Sequence, residues 1–286
     1  MRIAAIQMRS GMQAEPNLEI LAGLVTRAAN EGACYVLTPE VSLVFAEDRV
    51  GLAREAGQFE GNPGITALGA LAARLGIHLH LGSLAVALET GKFANRSVLF
   101  GPDGAIVAQY DKIHLFDATL SGIKAYRESD SYSAGQEAVV APLEPFTLGM
   151  SICYDVRFGA LYSLLANAGA NVMAVPAAFT VPTGEAHWEV LLRARAIETG
   201  SYVIAAAQGG HHENGRATYG HSMIVDPWGR IIAERADDTQ GVVVADIDLA
   251  EVSAARERIP ALANTRRFGL KRQADLAARQ LRKGMA

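Results

Sequence analysis

Residues 147–158, Thr147-Leu148-Gly149-Met150-Ser151-Ile152-Cys153-Tyr154-Asp155-Val156-Arg157-Phe158, decide how the chain is read, because they set a cysteine where a strand gives way to a helix. Thr147, Leu148, Met150 and Ile152 suit a strand by branching or apolarity, and Gly149 permits close packing. Past Cys153 the run Tyr154-Asp155-Val156-Arg157 turns polar, and residues 160–168 read as a helix of small and leucine side chains that Gly169 stops. A cysteine at such a junction meets backbone N–H groups left free by the turn, which favour negative charge. Free cysteine is also among the most buried residue types, so Cys153 alone fits an inert core position at least as well.

The rest of the chain bounds the answer. At 286 residues, 50% hydrophobic and 20% charged, it can bury a large core as one α/β domain, and no linker interrupts it. No stretch is an apolar run of membrane-spanning length, and Met1-Arg2-Ile3-Ala4-Ala5-Ile6 enters a strand pattern without the core of a secretory signal. Two cysteines, Cys34 and Cys153, support neither a disulfide framework nor a cysteine-rich metal site, which points to the cytoplasm. A net charge of -4 argues against strong nonspecific binding of nucleic acid.

Outward from the cysteine, strand and helix periods alternate. Residues 3–8 read as a first strand, 16–29 as a helix with Leu18, Leu21, Leu24, Val25 and Ala28 on one side, and 33–38 as a second strand ending at Pro39-Glu40. The stretch 41–59 is less regular, and Gly61-Asn62-Pro63-Gly64 enters a helix to about residue 74. Residues 77–82, 93–100 and 105–110 read as strands, with Gly101-Pro102-Asp103-Gly104 as a turn and Asp111-Lys112 at the last strand's end. Residues 113–137 lack a long period, as an ordered loop over a site would. Further strands fall at 139–140, 145–153, 171–175, 202–207, 221–226, 231–233 and 242–247, and the strongest later helix at 186–199. The recurrence of strand–helix–strand units beside extended pairs predicts two sheets packed together with helices outside.

Glu40, Lys112 and Cys153 each lie just past a predicted strand, so converging sheet ends bring them to one pocket. Forming a thiolate from a thiol of pKa about 8.5 costs about 2 kcal/mol at neutral pH. Glu40 supplies a group to accept that proton, and Lys112 a charge to favour sulfur or carbonyl oxygen anions. The Tyr154 N–H, next after the cysteine, is a second donor for such an oxygen. By residue type alone a second account stands beside this one: a structural Glu40–Lys112 ion pair, with Cys153 in packing.

Three phrases, Thr38-Pro39-Glu40, Tyr110-Asp111-Lys112-Ile113-His114-Leu115-Phe116 and Ile152-Cys153-Tyr154-Asp155-Val156-Arg157-Phe158, resemble in order the motifs of the carbon–nitrogen hydrolase, or nitrilase, family. The resemblance covers nearly the whole chain. It implies a four-layer α-β-β-α sandwich formed by residues 1–286 as a single domain, with 260–286 a C-terminal extension used in packing or assembly. It also implies a cysteine-dependent amidase in which Cys153 attacks an amide carbonyl, Glu40 is base and acid, and Lys112 supports the tetrahedral intermediate. Arg127-Glu128-Ser129 resembles the family stretch with a second glutamate, which gives Glu128 a supporting role toward Lys112 or the substrate amide. In the implied cycle ammonia leaves, a thioester forms and water releases a carboxylate, with neither metal nor cofactor. Homodimers or larger homo-oligomers are the implied assemblies.

The phrases at 186–198, 205–213 and 219–229 resemble the branch of the family that hydrolyses deaminated glutathione. A substrate with carboxylates calls for cations, and Arg157, Arg195, His211 and His212 are the candidates. Arg157 and Arg195 have an alternative use in bracing the cysteine turn. His211-His212 lacks the third and fourth ligand of a metal site. Omega-amidase action on alpha-ketoglutaramate or alpha-ketosuccinamate, N-carbamoyl amino-acid hydrolysis and a noncatalytic interaction protein are the alternatives. Val41-Ser42-Leu43-Val44-Phe45 and Gly159-Ala160 depart from the usual family continuations, and they bear on the substrate rather than on hydrolysis.

Overall fold

A computed structural model describes residues 1–119 and 126–271. Two six-stranded sheets form its centre. The first runs in the order Gly241–Asp246, Arg2–Gln7, Tyr35–Leu37, His78–Ala87, Phe93–Phe100, Ile106–Asp111, and the second in the order Ile231–Glu234, Met223–Val225, Tyr202–Ala207, Val172–Ala177, Phe146–Met150, Val140–Leu143. Each sheet has three neighbouring parallel strands, and antiparallel partners complete it on both sides.

Period-2 alternation assigns the layers. In the first strand Ile3 and Ala5 pack toward the second sheet, in a core that also holds Tyr35, Leu37, Leu148, Met150 and Val175. Ala4, Ile6 and Met8 face the other way, onto α1 (Ala14–Asn30) through Leu21, Val25 and Ala28. A short helix α2 (Arg49–Glu55) follows, capped by the Asp48 carboxylate, which accepts from the Gly51 N–H at 2.8 Å. Helix α3 (Pro63–Leu75) covers the same sheet with Ile65, Leu68 and Ala72. Helices α4 (Gly159–Asn167) and α5 (Val181–Thr199) cover the second sheet with Leu161, Leu165, Trp188 and Leu192. The expected α-β-β-α sandwich is the fold.

Several boundaries differ from the sequence reading. Helix α5 begins at Val181, five residues before the predicted start, because Pro182 is accepted in its first turn. Helices α2 and α6 (Ala250–Arg258) have single buried residues, Leu52 and Val252, too few to set a period. The strand predicted over 145–153 ends at Met150, and Cys153–Arg157 forms a 3-10 turn instead. Of the predicted extension, residues 260–271 form no helix or strand and 272–286 lie outside the described residues. Among the described residues no helix is long and apolar enough to cross a membrane.

Candidate active site

Glu40 lies three residues past the strand Tyr35–Leu37, on a loop pinned from several sides. Ser42 Oγ donates to Pro39 O at 2.7 Å, Gln208 Nε2 donates to Glu40 O at 2.9 Å, and the Val41 N–H donates to Ser83 Oγ at 2.9 Å. Val41 takes φ 51°, a left-handed conformation that a β-branched residue adopts only under constraint. Gly82 is needed beside it, since a Cβ there would come 2.0 Å from Thr38 O.

Lys112 follows the strand Ile106–Asp111 and is 2% exposed at its side chain. Its ammonium donates to Glu40 Oε1 at 2.8 Å and to both carboxylate oxygens of Glu128 at 3.0 Å. Glu128 Oε2 also accepts the Phe116 N–H at 2.6 Å. Burial pulls the Lys112 pKa down, but the charges of Glu128, Glu40 and Cys153 outweigh it and hold the ammonium well above its ordinary value. Lys112 is therefore cationic at every physiological pH.

Cys153 has φ 49° and is 8% exposed, at the head of its turn. Burial, followed by the Glu40 charge, pushes the thiol well above its ordinary pKa; Lys112 and the Ala178 N–H oppose the shift without cancelling it. The resting sulfur is a thiol held neutral by its burial and by the nearby Glu40 carboxylate. Tyr154 follows at the first turn of the 3-10 segment, where N–H groups have no intrahelical acceptor.

The fully buried Asp155 ties the turn to the lysine segment. Its Oδ2 accepts from the Ile152 N–H at 2.9 Å and from Tyr110 Oη at 2.7 Å, and its Oδ1 accepts from the His114 N–H at 3.0 Å. Lys112 is thus bracketed at Tyr110 and His114 by one carboxylate that also holds Ile152, the neighbour of Cys153.

Glu40, Lys112, Glu128 and Cys153 line one cavity of about 210 Å³, with Asn95, Tyr132, Arg157, Thr183 and Arg216 among the other wall residues. The Arg157 guanidinium stands 5.7 Å from the Tyr154 ring centre and 5.3 Å from that of Phe179. The other three cations proposed for substrate do not line this cavity. Arg195 turns beneath it, where Nε donates to Val156 O at 2.7 Å and Nη1 to Glu198 at 2.5 Å, the bracing alternative. Gly159 leaves room for that pair: a Cβ there would lie 3.2 Å from atoms of both side chains. His211 is exposed, and both ring nitrogens of buried His212 are engaged, by Ser10 O at 3.0 Å and Thr218 Oγ1 at 2.7 Å. Among the described residues no group of three or more His, Cys, Asp or Glu is arranged to hold a metal ion.

Sequence reasoning passed over Asn95, Tyr132, Thr183 and Arg216. Asn95 left one signal, an amide at the head of the polar run Asn95-Arg96-Ser97 inside a strand that is apolar on either side of it; the others sit in segments without a period.

The carbon–nitrogen hydrolase profile matches residues 2–257. Relatives named deaminated glutathione amidase include that of Yersinia enterocolitica, 38% identical with 92% of each chain covered. Another, from Synechocystis, is 40% identical with 91% of this chain and 96% of the relative covered. The crystal structure of Saccharomyces cerevisiae Nit3, a member of branch 10 of the nitrilase superfamily, superposes with a TM-score of 0.84 at 29% identity, covering 94% of this chain and 97% of that one. The Caenorhabditis elegans NitFhit protein superposes at 0.85 and 35% identity, with 93% of this chain covered; the chain spans 65% of that longer protein. With this profile match and these amidase relatives, the chain belongs to the carbon–nitrogen hydrolase family and is an enzyme of the amidase class.

Proposed function

We propose that the protein hydrolyses the amide bond of deaminated glutathione through a thioester on Cys153. The observation that carries the mechanism is the meeting of Glu40, Lys112 and Glu128 with Cys153 on one cavity wall. The substrate follows from the relatives at 38–40% identity and from Arg157 on that wall, whose fixed fork suits a carboxylate.

Because the sulfur rests as a thiol, Glu40 takes its proton as the sulfur–carbon bond forms. The carbonyl oxygen gains the negative charge and is met by the Lys112 ammonium and the Tyr154 N–H. Glu40 returns the proton to the nitrogen as the carbon–nitrogen bond breaks, leaving the thioester. Water then attacks with Glu40 as base, the carbon–sulfur bond breaks, and the thiol re-forms. Glu128 keeps Lys112 in place. Deaminated glutathione joins its 2-oxo acid to the amino group of cysteinylglycine and has no primary amide, so the departing group is that amine. The ammonia expected from sequence applies to the omega-amides.

The cavity volume favours one second reading. At about 210 Å³ it lies below the roughly 300 Å³ at which drug-sized pockets begin, which suits a short omega-amide such as alpha-ketoglutaramate. Equal concentrations of deaminated glutathione, alpha-ketoglutaramate and alpha-ketosuccinamate, assayed for cysteinylglycine and ammonia with intact-protein mass during turnover, rank the two. Faster ammonia release would reject the first substrate, and full activity in Cys153→Ala would reject the nucleophile.

The reading extends to a cytoplasmic homodimer or higher homo-oligomer. Support comes from two free cysteines and from exposed Leu164, Val190 and Ile197 on α4 and α5. A monomeric mass in sedimentation at all concentrations would reject assembly.

A further inference from the structure

The Asn95 side chain is 2% exposed, in the strand Phe93–Phe100 between two partner strands, and its backbone carbonyl accepts the Lys112 N–H at 2.9 Å. Its amide nitrogen has two hydrogens to donate. One goes to Glu40 Oε1 at 2.9 Å and the other to Glu128 Oε1 at 3.2 Å. Those are two of the oxygens that the Lys112 ammonium holds, at 2.8 and 3.0 Å. Two carboxylates are therefore bridged twice, once by a cation and once by a neutral amide.

The other end of the side chain has nothing comparable. Asn95 Oδ1 is buried and has no hydrogen-bond partner among the described residues. An unsatisfied buried acceptor opposes folding, and an apolar residue of the same shape would avoid it. The amide cannot turn over to relieve it, since Oδ1 would then face two carboxylate oxygens. The orphan oxygen is thus the consequence of aiming both N–H groups at the glutamates.

We propose that Asn95 is a positioning residue for the hydrolytic reaction, holding Glu40 and Glu128 about Lys112 so that Glu40 presents its other oxygen to the Cys153 thiol. This rests on the reading of Glu40 as the proton acceptor. The chemistry explains why an amide occupies the place. Two carboxylates facing one ammonium repel each other, and a second cation would relieve that repulsion but weaken the base that the thiol needs. A neutral group with two diverging donors on one nitrogen steadies both carboxylates and leaves the charge unchanged. Both fixed donors use Oε1 of Glu40, so Oε2 is the oxygen left for the mobile proton.

The test compares Asn95→Asp with Asn95→Leu, by the rate at which chloroacetamide alkylates Cys153, resolved from Cys34 by peptide mass. Both variants should slow alkylation at least tenfold at pH 7.5, and on alpha-ketoglutaramate should lower kcat with KM changed less than threefold. In Asn95→Asp alone the deficit relative to wild type should narrow as pH falls, because the new carboxyl then gains a proton to donate. Near wild-type rates in Asn95→Asp, or equal pH-independent deficits in both, would overturn the proposal. Glu40→Gln is measured alongside. If it alkylates and turns over at the wild-type rate, the reading of Glu40 fails first, whatever the Asn95 variants do.

Discussion

Nδ1 of His114 lies 2.7 Å from Oδ1 of Asp155, and this contact fastens the segment that carries Lys112 to the turn that carries Cys153. The His114 ring also stacks on Phe158 at 3.6 Å between centres, so the fastening is backed by a flat apolar contact just past the turn. The carboxylate receives four donors from Ile152, Tyr110 and His114, all of which flank Cys153 or Lys112 in sequence.

Asp155→Asn keeps the shape but turns one acceptor into a donor facing other donors. The fold should lose about 1–3 kcal/mol, and kcat should fall more than tenfold while KM holds. Urea unfolding and steady-state kinetics check the two effects, and an unchanged kcat in a stably folded variant would separate this network from the chemistry.

Glu128→Gln leaves Lys112 with Glu40 as its one full counter-charge and weakens the acceptor for the Phe116 N–H. Activity should drop by about two orders of magnitude, about 2.7 kcal/mol in the barrier. Single-turnover acylation is the measurement, since a defect confined to substrate binding would leave its maximum rate intact.

Arg157→Lys removes the flat guanidinium held between Tyr154 and Phe179. For 2-oxo acid amides KM should rise about tenfold or more, while turnover of a neutral amide such as propionamide should change little. Equal losses on both substrates would mean that Arg157 braces the turn and does not read the carboxylate.

The pH dependence of stability has a definite sign on the alkaline side. Cys153 and Lys112 both have folded-state pKa values raised above their ordinary values of 9.0 and 10.5. Above pH 9.0 the unfolded chain gives up the Cys153 proton while the folded chain keeps it, so stability falls as pH rises, by about 1.4 kcal/mol per pH unit for this group. Lys112 adds a loss of the same sign above 10.5, its stabilising contribution being complete only below that pH. Urea midpoints between pH 8 and 10.5 should decline in the wild type and decline less in Cys153→Ala.

How much could be read in advance differed from residue to residue. Helices α1 and α3 were legible because their apolar residues repeat at the period of one buried face, and the first strand because it is a short apolar run buried on both faces. Helices α2 and α6 were not, because a single buried residue sets no period. For Arg195 the sequence left substrate binding and bracing of the cysteine turn side by side, because a long cation near a site has many possible directions, and only packing against Val156 and Glu198 chose the second. Asn95 hid for a related reason: an amide within a strand declares that it has partners without declaring which.

By itself the sequence determined where strands give out and which reactive groups stand at those ends, since local backbone preferences and turn residues act over a few positions. Only the tertiary structure decided which of those ends meet. Glu40 and Lys112 are 72 positions apart and touch because their strands belong to one sheet, and Cys153 reaches them because the second sheet packs face to face on the first; a side chain's direction is chosen by the neighbours that packing brings, which chain order does not contain.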